Sequence, residues 1–159
     1  MSEGQDLLYQ IVHHMFPGAK IVQNTRPWWL FGLEMDIYLP DKHLAFEFDG
    51  PQHRFPVGGM YKGEEMFEYS SKNDHWKNKT CKGNGVKLFR VSARTLKPVR
   101  VKKMIIDSAP NGYRGVKFRR FPVELEKQCA TYRYNHAYTK KEKEFRRNNH
   151  GTISPVGNL

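Results

Sequence analysis

Two short runs of alternating residues, Leu33 to Leu39 and Leu44 to Phe48, flank Pro40-Asp41-Lys42-His43 and restrict this chain more than any other stretch. Side chains alternate along a strand, and turn residues between two period-2 runs predict a β-hairpin. With those four residues as the connection, Leu39 pairs with Leu44, Tyr38 with Ala45, Ile37 with Phe46, Asp36 with Glu47, Met35 with Phe48 and Glu34 with Asp49. One face is then wholly apolar. The other sets Asp36 opposite Glu47 and Glu34 opposite Asp49, with cross-strand Cβ separations of ~5 Å. Like charges so placed repel, and the register therefore calls for positive charge. Hard oxygen ligands on one face suit Mg²⁺, which takes one or two carboxylates and keeps much of its water for substrate oxygens to replace. The competing reading is an acidic face salt-bridged to the basic half of the same chain.

Around the hairpin the pattern predicts a mixed α/β or α+β core. Leu7, Leu8, Ile11, Val12 and Met15 recur at helical spacing behind Ser2, which predicts a helix over residues 3–15. Lys20 to Gln23 reads as a short strand, Arg26 to Gly32 as a loop, and 50–61, with Pro51, Pro56, Gly58 and Gly59, as an irregular loop. Glu64 to Lys82 lacks Gly and Pro and reads as one helix, ended by Gly83-Asn84-Gly85. Val86 to Val91 has the composition of a strand, and Pro98 to Ile106 that of a helix. Beyond it, Val116 to Phe121 is expected as a strand and Pro122 to about Arg147 as a helix, acidic first and basic last. No linker separates two domains, so residues 1–106 are expected as the core and 107–159 as a basic extension of the same domain.

The 159 residues carry 27 Lys+Arg against 16 Asp+Glu, and the surplus is lopsided. Residues 1–71 hold 5 basic and 10 acidic side chains, whereas residues 72–159 hold 22 and 6. Such a surplus points to a polyanion, because each Lys or Arg that neutralises a phosphate releases counterions. No apolar run reaches the ~18 residues that a membrane span requires. The first residues include Glu3 and Asp6 and lack the basic-then-apolar order of a secretory signal. Cys81 and Cys129 stand apart without metal-ligand spacing, so a reducing, cytoplasmic setting is expected.

Three further groups carry candidate chemistry. His53, four residues past Asp49, is placed to orient or activate water. Asp74, Lys77 and Cys81 fall at i, i+3 and i+7 and share one helix face, overlapping a polar stripe of Asn73, Lys77 and Thr80. Lys77 is the candidate ammonium for stabilising charge at a phosphate. Arg114, Lys117, Arg119 and Arg120 interleave with Tyr113, Phe118 and Phe121, and Arg133 lies between Tyr132 and Tyr134. With Lys82 and Lys87, these cations are the expected nucleic-acid contacts.

Gly32-Leu33-Glu34-Met35-Asp36-Ile37-Tyr38-Leu39-Pro40, then Leu44-Ala45-Phe46-Glu47-Phe48-Asp49-Gly50, then Asn73-Asp74 through Lys77 and Cys81-Lys82 to Asn84-Gly85-Val86-Lys87-Leu88-Phe89-Arg90-Val91, together resemble the PD-(D/E)XK nuclease superfamily. The likeness covers residues 2 to about 92 and is nearest to the branch of the very short patch repair endonucleases and related phage and homing-associated nucleases. It implies a restriction-endonuclease-like core, a central mixed sheet flanked by helices, and divalent-metal cleavage of phosphodiesters. By that pattern Asp36 is the first metal-binding acid, Glu47 the second, and the Phe48 carbonyl a further ligand. Asp49 stands where the superfamily has a catalytic lysine, so Asp49 with His53, or Lys77 from the helix, takes that role. Gln5 stands where relatives often carry a glutamate. The expected protein is an Mg²⁺-dependent DNA endonuclease, with Mn²⁺ as a substitute, acting as monomer or homodimer. The rivals are a non-catalytic nucleic-acid-binding module on a nuclease fold, and an assembly protein with acidic partners.

Overall fold

The computed structural model describes residues 2–50, 60–108, 118–138 and 143–144, with the backbone alone over 60–70. In chain order these form α1 (Glu3–Met15), β1 (Val22–Thr25), β2 (Met35–Leu39), β3 (Leu44–Asp49), α2 (Met60–Gly83), β4 (Lys87–Ser92), α3 (Pro98–Ser108) and α4 (Val123–His136). The four strands make one mixed sheet in the order β1-β2-β3-β4. The fold class is therefore mixed α/β with an α+β arrangement. By compactness the chain falls into two units, Pro17–Arg90 and Met1–Phe16 with Val91–Leu159. That division falls within β4.

In the Pro17–Arg90 unit the hairpin register is Leu39 with Leu44, Tyr38 with Ala45 and Ile37 with Phe46, as the alternation predicts. Pro40–Lys42 closes it as a 3-10 turn, and His43 takes the left-handed conformation at φ 53°. β1 pairs antiparallel with β2, Val22 with Tyr38 and Thr25 with Met35. It starts two residues later than the sequence suggests. β3 is buried along Leu44 to Phe48, as a central strand covered on both faces should be. On one face Phe46 stacks on Phe89 at 5.2 Å between ring centroids. Leu30, Met35, Ala45 and Val86 form a second buried cluster with Cys81 of α2, and Tyr38 and Leu88 pack against it.

That packing sets the course of α2. Four residues of helix advance ~6 Å and two residues of strand advance ~6.7 Å, so a helix laid along β3 keeps step with alternate strand residues. Cys81 lies among the residues around Ala45, and Lys77 reaches Glu47. α2 ends in a paired set of backbone bonds, Val86 N–H to the Cys81 carbonyl at 2.8 Å and Gly85 N–H to the Lys82 carbonyl at 3.2 Å. Gly85 sits at φ 70° in the left-handed region, the position that favours glycine after a helix.

In the other unit α1 packs with α3 and α4. Leu7, Leu8, Ile11 and Val12 of α1, Val101 and Ile105 of α3, and Leu125 and Cys129 of α4 are all buried. Ser2 and Gln5 form a reciprocal capping box, Ser2 Oγ accepting from the Gln5 N–H at 3.2 Å and Gln5 Oε1 from the Ser2 N–H at 2.7 Å. Gln5 thus has a structural use of its own. Residues 118–121 are not a strand. They are held by side chains instead: Phe118 meets Phe16 edge to face, and His14 Nε2 donates to the Arg120 carbonyl at 3.0 Å. α4 ends at His136 with Ala137 as its cap, and residues 143–144 of the expected helix are again helical. Residues 116–117, 139–142 and 145–147 of those two expectations lie outside the described residues.

Candidate functional site

The hairpin ladder stops being regular where its carboxylates begin. One step beyond the Ile37–Phe46 pair, Asp36 Oδ2 accepts the Phe48 N–H at 2.8 Å, and Glu47 Oε1 accepts the Asp36 N–H at a long 3.4 Å. Each strand thus offers a backbone donor to the other's acid. Asp36 and Glu47 lie side by side on the face that α2 covers, Glu47 buried at 7% exposure and Asp36 half-buried. Removal from water pushes the Glu47 carboxyl above its ordinary range. The neighbouring Asp36 charge adds to the rise, and the Lys77 ammonium opposes it.

Lys77 Nζ donates to Glu47 Oε2 at 2.8 Å, with both side chains largely shielded from solvent. The lysine is therefore one arm of the cluster and not one of the solvated cations of a basic helix. Its helix face is the predicted one, since Asp74 and Cys81 also turn inward. Asp74 meets Arg90, whose Nη2 lies 3.1 Å from Asp74 Oδ1, while Arg90 Nη1 donates to Asp49 Oδ1 at 3.1 Å. Arg90 Nε also reaches Asn78 Oδ1 at 3.4 Å. A guanidinium from β4 thus ties the end of β3 to α2.

Arg90 is the residue that sequence reasoning missed. Its signal was parity: in Leu88-Phe89-Arg90-Val91, Phe89 and Val91 are buried, so Arg90 must point to the opposite, acidic face. Glu34 departs from expectation in the other direction. It precedes β2, and Arg26 Nη2 takes it at 3.1 Å in an exposed pair, so it is not set against Asp49. His53, Arg114 and Lys117 lie outside the described residues. Lys82, Lys87, Arg119 and Arg120 are exposed, whereas Arg133 is half-buried and donates to the Leu96 carbonyl at 2.9 Å. That bond makes Arg133 a brace for backbone.

Asp36, Glu47, Asp49 and Asp74 face Lys77 and Arg90, so negative charge remains in excess. Cations of this same chain meet part of the demand that the register creates, and they come from its basic half. Among the described residues Asp36 has no cationic partner, and its Oδ2 alone is engaged there. No set of three or more His, Cys, Asp or Glu side chains converges on one point among the described residues, and Asp49 is turned to Arg90. A hard cation here would be held by the Asp36 and Glu47 carboxylates with the Phe48 carbonyl and water. This all-oxygen, net-negative donor set fits Mg²⁺ or Mn²⁺ and does not suit a soft metal.

No family model matches the chain, and no solved structure matches it. It is similar to the uncharacterized protein 307L of Invertebrate iridescent virus 6, with 34% identity over 61 residues, 38% of this chain and 31% of that protein. The chain thus matches less than a third of that relative's length. No helix among the described residues is long and apolar enough to cross a membrane.

Proposed function

We propose that this chain is a metal-dependent DNA endonuclease built on a PD-(D/E)XK-like core, with Asp36, Glu47 and Lys77 at its reacting centre. The observation that carries this reading is the Asp36–Glu47 side-by-side acid pair with a half-buried lysine 2.8 Å from Glu47. Two carboxylates and an ammonium, largely shielded from solvent, form the charge set that hydrolysis of a phosphodiester calls for. A bound Mg²⁺ would supply Lewis acidity toward the phosphate and lower the pKa of a water. The Phe48 N–H holds the Asp36 carboxylate in place, so that acid is preorganised rather than free to rotate. Lys77 sits where an ammonium can stabilise negative charge developing on phosphate oxygens, and its shielding from solvent makes that charge more effective. Arg90 holds Asp49 and Asp74 in position, and its charge also acts on Glu47. The basic half of the chain supplies the nonspecific attraction for the DNA backbone.

A non-catalytic DNA-binding module is favoured by one specific observation, the engagement of Glu47, Asp49 and Asp74 by Lys77 and Arg90. Incubating supercoiled plasmid, single-stranded DNA and a four-way junction with Mg²⁺, Mn²⁺ or EDTA separates the two. Cleavage that requires metal, is lost in Asp36→Asn and falls on the order of 10²-fold or more in Lys77→Met is expected. Absence of cleavage on every substrate, with DNA binding unchanged by chelation and by Asp36→Asn, would overturn the enzyme reading.

A further inference from the structure

Between β1 and β2 the segment Trp28-Trp29-Leu30-Phe31 folds as a 3-10 turn that sorts its side chains in two directions. Leu30 is fully buried and Trp29 packs edge to face on Tyr38 at 5.9 Å. Trp28 and Phe31 point outward, 88% and 74% exposed. Nothing about this turn is slack. The Leu30 N–H bonds to the Pro27 carbonyl at 2.9 Å, the Leu33 N–H to the Leu30 carbonyl at 3.1 Å, and Arg26 Nη1 to the Gly32 carbonyl at 2.8 Å. Phe31 itself holds φ 53°, a left-handed conformation unfavourable for a residue of its bulk. The turn spends backbone strain to present an aromatic ring to solvent.

Across from it on α2 stands Trp76, 45% exposed, with its ring centroid 6.4 Å from that of Phe31 and the planes inclined at 59°. At that inclination the two rings do not cover each other's faces. Lys79 holds its ammonium 5.7 Å from the centre of the Trp76 ring, and Trp76 immediately precedes Lys77 in the chain. Exposed aromatics clustered and fringed by cations are unusual on a surface that has no partner. Aromatic faces stack bases whatever their identity, and adjacent cations take the accompanying phosphates.

We propose that Trp28, Phe31 and Trp76 form a stacking platform for unpaired nucleobases of a single DNA strand, with Lys79 taking a neighbouring phosphate. Placing the scissile phosphate at the Asp36–Glu47–Lys77 cluster rests on the nuclease reading above; the platform itself does not. Bases within an intact duplex already cover one another's faces, so the occupant is a strand with unpaired bases. A symmetric contact between two copies of the chain is disfavoured, because it would bring the Lys79 fringe of one copy toward that of the other.

The test uses the full chain in EDTA, so that binding is read without cleavage. Its probes are a labelled oligo-dT, an abasic strand of equal length and charge, and a duplex. Oligo-dT is expected to bind on the order of tenfold or more tighter than the abasic strand and to quench tryptophan fluorescence, since two of the three tryptophans lie on the platform. Trp28→Ala with Phe31→Ala, and separately Trp76→Ala, should remove that preference and leave abasic binding unchanged. Equal affinity of the wild type for oligo-dT and the abasic strand would overturn the proposal without needing any variant. So would a concentration-dependent dimer abolished by Trp28→Ala with Phe31→Ala, which would make the patch a contact between copies. Base-dependent binding together with no cleavage in Mg²⁺ would leave the platform standing and remove only the nuclease reading.

Discussion

Lys77 and Glu47 hold opposite charges 2.8 Å apart in a place nearly closed to water, and such a pair is weak evidence for stability but a strong constraint on substitution. Removing one partner strands the other. Lys77→Met should cost about 3–5 kcal/mol, read as the shift in a urea unfolding curve with EDTA present. Lys77→Met with Glu47→Leu should recover most of that loss, because two apolar side chains have no desolvation debt. Cys129 offers a separate test by pH. Burial pushes its thiol up to about 12 from an ordinary value of 9.0. The folded state then keeps the proton that the unfolded chain releases, so this contribution is complete below pH 9 and declines as pH rises toward 12. The decline has a slope of up to ~1.4 kcal/mol per pH unit. Urea unfolding between pH 8 and 10.5 should show a flatter alkaline decline for Cys129→Ala than for wild type. At this scale the sequence was legible where one element carried the pattern: Asp36, Glu47 and Lys77 follow from strand alternation and helix spacing. Arg90 was harder to find because its partners come from β3 and α2, and no local window contains them.

The helix α2 and the strand β3 meet through side chains one helical turn apart on α2 and two residues apart on β3. Cys81 buries among apolar side chains and Lys77, one turn earlier, comes to the acid on the same face. The helix ends are as telling as the middle. A Cβ at Gly85 would meet nothing within 4 Å, so only its φ of 70° resists substitution. Gly85→Ala should therefore destabilise by about 1–2 kcal/mol, measured by thermal or urea unfolding, with no change in packing. Pattern reading succeeded for α1, the hairpin and the stop after α2, each specified by residues close in sequence. It failed at residues 118–121, where hydrophobic and basic residues alternate as in a strand. Contacts with Phe16 and His14, more than a hundred residues away, hold that segment as irregular chain.

Over the whole molecule, charge is the property with the longest reach. From Lys72 onward the basic residues outnumber the acidic ones 22 to 6, and the exposed Lys82, Lys87, Arg119 and Arg120 are among them. For a footprint of 6–10 phosphates, DNA affinity should fall on the order of 10³–10⁵-fold between 50 and 200 mM salt. Fluorescence anisotropy across that range would check it, and a salt-independent affinity would remove the phosphate-binding role. The sequence by itself determined the hairpin, its register from Leu39–Leu44 to Ile37–Phe46 and the nearness of Asp36 to Glu47, because alternation and turn chemistry act over a few residues. It also determined the basic surplus, which needs no fold at all. Only the tertiary structure decided which cations answer those acids, that Glu34 leaves the cluster for Arg26, that Arg133 braces a carbonyl, and that the exposed rings of Phe31 and Trp76 meet. Each of these depends on groups distant in the chain being brought within a few ångströms, and the energy that selects them exists only once the elements have packed.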